Sequence, residues 1–232
     1  MHTVNENTPY QVPYAALPHV KETPEWVRNL PEARDGAVRQ LFVAACMGED
    51  KTTASVSLHE RAEDGAFRQL LSTPAFIGRN GLCRDADHTE GCGMTPAGVF
   101  HFTKAFGIAD DPGCALPYTK VDEDCYWSGD MREGMRYNEM VRLSELPGLD
   151  VAASEHLIDY EFEYRYCLNI SFNEEGTPGR GSAIFLHCMG QARPYTGGCV
   201  AVPETAMYRL MQCVLPDCAV VIDTLGNLGG SL

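Results

Sequence analysis

Three short runs in succession constrain this chain more than any other feature. "QLFVAACM" (40–47), "TASVSLHER" (53–61) and "AFRQLLSTPAFIG" (66–78) are apolar or alternating segments separated by polar, turn-rich stretches. Such runs, bounded by turn residues, read as strand, turn, strand, turn, strand. They open a β-rich domain with a meander.

Further strand signals follow. Phe162, Tyr164, Tyr166 and Leu168 alternate with Glu163, Arg165 and Cys167 in "EFEYRYCLNISFN", "SAIFLHC" is an apolar strand, and "AVVIDT" is a closing one. Between Asn80 and Asp130 the chain is rich in Gly, Asp, Pro and Cys with one strand-like island, "GVFHFTKAFG", so long loops laid over a sheet are expected there. The one clear helical period is Met207, Leu210, Met211 and Val214, behind the start signals Pro203 and Glu204; its methionines read as core. Residues 1–37 hold prolines and little periodicity, which predicts a loosely packed N-terminal leader with one short helix near Glu25–Leu30, leaving 38–232 as the main domain. A chain of 232 residues with 44% hydrophobic content can bury a full core within it.

Charge removes one class of function. The formal net charge is -14 and there is no Lys/Arg cluster, which argues against nucleic acid. No window reaches eighteen unbroken apolar residues and the first twenty-five do not make a secretory signal, so no membrane span is expected in this chain and it reads as soluble.

Ten cysteines are many for this length. None forms the C-x2-C pairs of a zinc site, and "CRDADHTEGC" offers Cys83, His88 and Cys92 without a fourth ligand, so neither a metal nor a cofactor is expected. Cys83 with Cys92, Cys114 with Cys125, and Cys213 with Cys218 are near enough in sequence to be disulfide loops.

The remaining feature is "FLHCMGQARPYTGGCVAVPE" (185–204), with His187 ending an apolar run and Cys199 behind Thr-Gly-Gly. A thiol of pKa about 8.5 is only a few per cent thiolate at neutral pH, so a nucleophilic cysteine needs a neighbouring imidazole or positive dipole. A hairpin-like return at Gly197–Gly198 would bring His187 beside the sulfur, and a helix starting near Pro203 would aim its positive end there. The N–H groups of Gly198 and Cys199 would then form an oxyanion hole. The competing reading is a core strand and a turn, and spacing alone does not separate the two.

The wider stretch "GSAIFLHCMGQARPYTGGCVAVPETAMYRLM" resembles the signature of the L,D-transpeptidase catalytic-domain family, also called YkuD-like, in which a strand-ending histidine precedes a Ser/Thr-x-Gly-Cys motif. Upstream, Thr95, Pro96, Gly98, Val99 and Phe100 match its Thr-Pro-x-Gly-x-Phe/Tyr turn, and "YNEMV" (137–141) and "SEHL" (154–157) fall where members carry similar motifs. The resemblance implies a mainly β sandwich or cradle with one or two helices, placed extracytoplasmically at the cell wall or periplasm. It further implies acyl transfer on peptidoglycan stem peptides, with a tetrapeptide donor, an amine acceptor and susceptibility to carbapenems. Cys199 would be the nucleophile, His187 the base, and the main-chain carbonyl of Cys188 the group that orients the imidazole.

The chain departs from the commoner Ser-His-Gly-Cys-x-Arg motif: Gly197 stands where a second histidine is usual, and Val200 and Ala201 follow the cysteine. In this it resembles the family's Thr-x-Gly-Cys-Val-Ala branch, which implies that donor recognition falls on other groups. Thr196, Tyr195, Arg193 and Gly197 are the groove candidates, each with a plain loop reading beside it; Asn138, Glu155, His156 and His101 read as structural. The same site would serve an L,D-carboxypeptidase with water as acceptor, and a non-catalytic wall-binding module or a disulfide-rich or metal-binding structural domain are the readings from other classes.

Overall fold

The computed structural model describes residues 21–231; positions 1–20 of the expected leader lie outside the described residues. In chain order the elements are β1 (Lys21–Glu22), α1 (Glu25–Arg28), α2 (Pro31–Arg34), β2 (Gln40–Cys46), β3 (Thr53–Arg61), β4 (Phe67–Phe76), β5 (Leu82–Arg84), β6 (Thr95–Gly107), β7 (Tyr118–Lys120), β8 (Cys125–Trp127), β9 (Met140–Arg142), β10 (Glu155–His156), β11 (Cys167–Ile170), β12 (Phe185–Cys188), β13 (Val200–Val202), α3 (Glu204–Cys213) and β14 (Ala219–Thr224). The mainly β class is what the alternating runs require. The three opening strands are β2, β3 and β4, joined antiparallel, with a bulge between Leu58 and His59 on β3.

Among the described residues eleven strands form the main sheet, and its path closes on itself. Strands β4, β13, β12, β11, β6, β14, β2 and β3 follow one another, and β3 returns to β4. The join of β13 to β4 is a single antiparallel pair, Ala201 with Phe76. Closure leaves one buried interior, filled by Phe42, Leu58, Phe102, Leu186, Val200 and the α3 stripe Met207, Leu210 and Met211. The helix therefore packs as its period predicts.

Side chains alternate faces along β12, and the alternation sorts the site from the core. Leu186 and Cys188 point into the main core with Val200 and Val202, whereas Phe185 joins Cys199, Phe106, Trp127 and Tyr164 in a second cluster outside it. His187 shares the Phe185 face. Thus one strand holds the barrel together with two residues and presents the site with the other two.

Several sequence readings change. The aromatic alternation over 161–173 is a strand only at Cys167–Ile170; Glu163–Arg165 is a 3-10 turn that puts Tyr164 inward and leaves Phe162 exposed. The middle region is less open than expected, because β6 runs thirteen residues and carries β5 and β7. The short N-terminal helix is present, yet Val27, Leu30 and Ala33 are buried against Leu41, Val43 and Val221, so the end of the expected loose leader is packed onto the barrel. All ten cysteines are free thiols, and none of the three disulfide loops is formed. Among the described residues no helix is long and apolar enough to cross a membrane.

Candidate active site

Cys199 and His187 line one cavity of about 770 Å³, on the face of the sheet away from the main core. They reach it by a route the sequence does not suggest. β12 and β13 are parallel, not a hairpin, with Leu186 opposite Val200 and His187 opposite Ala201. A parallel pair requires a crossover, and residues 189–199 provide it, placing Cys199 one position before β13 on the same face as Phe185 and His187.

The imidazole is fixed by the backbone. His187 Nδ1 lies 2.7 Å from the Cys188 carbonyl oxygen. A carbonyl only accepts, so Nδ1 carries the hydrogen and Nε2 keeps its lone pair for a proton. Tyr164 packs edge-on against the ring, with centroids 5.6 Å apart. Burial lowers the His187 pKa, so the ring rests neutral.

The thiol is held away from that lone pair. Cys199 Sγ donates to the Ala183 carbonyl at 3.1 Å and accepts the Phe185 N–H at 3.3 Å. Burial and the negative charge of Glu155 raise its pKa, so the resting site holds a neutral thiol beside a neutral imidazole.

The Cys199 main chain is clamped by two threonines. Thr196 Oγ1 donates to the Cys199 carbonyl at 2.7 Å and accepts the Gly198 N–H at 3.1 Å; Thr95 Oγ1 reaches the same carbonyl at 3.4 Å and accepts the Gly78 N–H at 2.9 Å. The expected oxyanion role of Gly198 is therefore corrected: its N–H is spent on Thr196. The Cys199 N–H makes no hydrogen bond among the described residues. Gly198 sits at φ +151°, where a Cβ would come 2.9 Å from the Met94 carbonyl oxygen, so glycine is required there. At Gly197 a Cβ would meet nothing within 4 Å.

Of the groove candidates, Arg193, Tyr195, Thr196 and Gly197 all line the cavity. Thr196 is buried and structural, while Tyr195 is exposed at the rim. The α3 N-terminus does not serve the sulfur. It follows the far end of β13, about 13 Å along extended chain from Cys199, and a helix dipole falls off within a turn.

Residues read as structural divide. Asn138 is a hub, accepting the Trp127 indole N–H and the Ala183 N–H, both at 2.9 Å, and donating to the Phe172 and Asn173 carbonyls. His101 is exposed beside Glu174, and His156 pairs with Asp159 at 3.1 Å instead of with Glu155. The two ring nitrogens of His88 face the Arg180 and Met94 carbonyls. Glu155, read from the sequence as structural, lines the cavity and accepts a hydrogen bond from the Tyr164 hydroxyl at 2.6 Å. Nothing in "SEHL" signals this, since the neighbours of Glu155 come from distant segments.

The fold and site define a mainly β domain carrying a buried cysteine and a backbone-oriented histidine in one cavity. The family model described as the L,D-transpeptidase catalytic domain, YkuD, matches residues 52–222, and the chain belongs to that family. Among solved structures, a cysteine-to-serine mutant of Enterococcus faecium L,D-transpeptidase is 14% identical, with a TM-score of 0.35, over 80% of this chain and 50% of that one. The Ldtfm–avibactam carbamoyl enzyme is 15% identical, with a TM-score of 0.35, over 80% and 49%. The chain thus spans about half the length of these structures. No curated protein matches it by sequence.

Proposed function

We propose that this protein is a cysteine acyltransferase of peptidoglycan stem peptides, an L,D-transpeptidase that forms cross-links through a Cys199 thioester. The observation that carries this reading is the pairing on one cavity wall of a thiol with an imidazole whose Nδ1–H is tied to the Cys188 carbonyl. The tautomer is the one a general base requires. When a donor peptide enters, the thiol turns from Ala183 and gives its proton to His187 Nε2. The sulfur attacks the donor carbonyl, and the imidazolium protonates the departing terminal D-alanine. The Cys199 N–H, which makes no hydrogen bond among the described residues, receives the oxyanion. Arg193 and Tyr195 at the rim contact the donor, Arg193 through a carboxylate.

Intact-mass spectrometry after exposure to a carbapenem tests the nucleophile. One covalent adduct is expected on the native chain and none on Cys199→Ala; an adduct that persists in the variant overturns the assignment. Incubation with disaccharide-tetrapeptide should release D-alanine and give cross-linked dimer. Release without dimer makes the protein an L,D-carboxypeptidase.

A further inference from the structure

Proton counting shows that the two fates of an acyl-enzyme make different demands. Water attacking a thioester loses one proton, which His187 can pass to the departing Cys199 sulfur. An alkylamine at neutral pH arrives as an ammonium and must lose two protons before it becomes an amide nitrogen. His187 Nε2 has room for one. Aminolysis of an acceptor that enters the cavity as its ammonium needs a second base there.

We propose that Glu155 binds the ammonium of the acceptor and takes its first proton. This inference rests on the acyltransferase reading above. Glu155 lies on β10, in the three-stranded sheet over the cavity, with Trp127 of β8 as its register partner. Tyr164 connects it to the site, since its hydroxyl donates to Glu155 Oε2 at 2.6 Å while its ring edge packs on His187. The other oxygen, Oε1, has no hydrogen-bond partner among the described residues, nor does any Lys, Arg or His pair with the carboxylate. Its charge is near enough to raise the thiols of Cys199 and Cys167 and the hydroxyls of Tyr160 and Tyr164. Glu90 faces it across the cavity, itself holding the Tyr137 and Ser182 hydroxyls, and Arg79 and Arg193 are the cations of the lining.

Burial raises the Glu155 pKa to about 7, opposed by the Tyr164 hydrogen bond and aided by Glu90. A carboxyl tuned there is charged often enough to attract an ammonium and basic enough to accept its proton. The steps balance. The ammonium gives one proton to Glu155, and the free amine attacks the thioester carbonyl. His187 takes the second proton from the adding nitrogen and returns it to sulfur as the C–S bond breaks. Glu155 then releases its proton to water.

The test follows one acyl-enzyme to two products. With disaccharide-tetrapeptide as donor and a stem peptide bearing a free side-chain amine as acceptor, the ratio of cross-linked to hydrolysed product is measured for wild type and Glu155→Gln. The ratio cancels any change in the rate of acylation. It is expected to fall about a hundredfold in Glu155→Gln near neutral pH, the low end for loss of a general base. Hydroxylamine, already unprotonated at that pH, should restore aminolysis of the variant's acyl-enzyme. Tyr164→Phe, which frees the carboxylate while keeping it, should lower the ratio less than Glu155→Gln and serves as the second variant. An unchanged ratio, or a fall equally deep with hydroxylamine, overturns the role of Glu155. No acyl-enzyme in the wild type overturns the acyltransferase reading instead.

Discussion

The Cys199 thiol is hydrogen-bonded to the carbonyl oxygen of Ala183, 3.1 Å away, and makes no hydrogen bond to the His187 ring. Burial pushes the thiol pKa up and the imidazole pKa down, so neither charge of a thiolate–imidazolium pair is favoured in this buried site. In the proposed acyl transfer, activation is left to the substrate, which must displace the thiol from Ala183.

Alkylation therefore discriminates resting from activated sulfur. With iodoacetamide near neutral pH, the partly exposed Cys83 and Cys92 should be labelled well before Cys199, and peptide mapping by mass spectrometry reads the order. Labelling of Cys199 ahead of both would show a preformed thiolate and contradict the burial argument.

Asn138 supports this arrangement from behind. Its side chain makes four hydrogen bonds, one of them to the N–H of Ala183, and it holds φ at 62° while Ala183 sits at 56°. Asn138→Ala strands two donors and two acceptors, and a cost of about 2–4 kcal/mol in urea unfolding is expected. Because Ala183 would loosen, acylation should slow more than a matched loss of stability elsewhere would cause. A change below about 0.5 kcal/mol would mean water replaces the network.

The two glycines before Cys199 should behave oppositely. Gly198→Ala puts a Cβ against the Met94 carbonyl at a positive φ, for an expected loss of about 1–3 kcal/mol and of adduct formation. Gly197→Ala meets open space and should be neutral within about 0.5 kcal/mol. Gly197→His should also fold, since the position occupied by histidine in the commoner motif is unfilled here. Thermal melts of the three variants decide the matter.

What could be read in the sequence was what local periodicity controls. The apolar run of β2 is buried along its whole length, β3 and β4 are partly exposed strands beside it, and Met207, Leu210 and Met211 mark α3. Phe162 and Tyr164 show the same alternation, yet a 3-10 turn holds them, because the Tyr164 hydroxyl is drawn to Glu155 and its ring to His187. The cysteine and histidine were visible through their motif, but their geometry was not. Gly197–Gly198 suggested a hairpin, and only the closed order of strands reveals a parallel pair. Thr196 likewise spends its hydroxyl on the Cys199 carbonyl and on the Gly198 N–H that spacing assigned to the oxyanion. Glu155 depends on β10, the 3-10 turn and the loop before β13 meeting, which no short window of sequence contains.

The same carboxyl gives the fold a pH signature separate from catalysis. Its pKa is raised from 4.5 in a free side chain to about 7 in the folded protein. Below pH 4.5 it is protonated in both states and contributes no pH dependence. Between 4.5 and 7 the unfolded chain ionises it while the folded protein retains the proton, so folding loses stability as pH rises, about 1.4 kcal/mol per unit and on the order of 3 kcal/mol in all. Buried His59, lowered to about 4, acts with the opposite sign, since the unfolded state gains its proton first as pH falls below 6.5. That contribution is common to wild type and to Glu155→Gln and cancels in their difference. The variant, neutral at every pH, should gain stability relative to wild type by on the order of 3 kcal/mol on going from about pH 4 to about pH 8. Urea unfolding at both values measures it. A difference independent of pH would show that Glu155 ionises in the folded protein as it does in water, and would remove the basis for its tuned pKa.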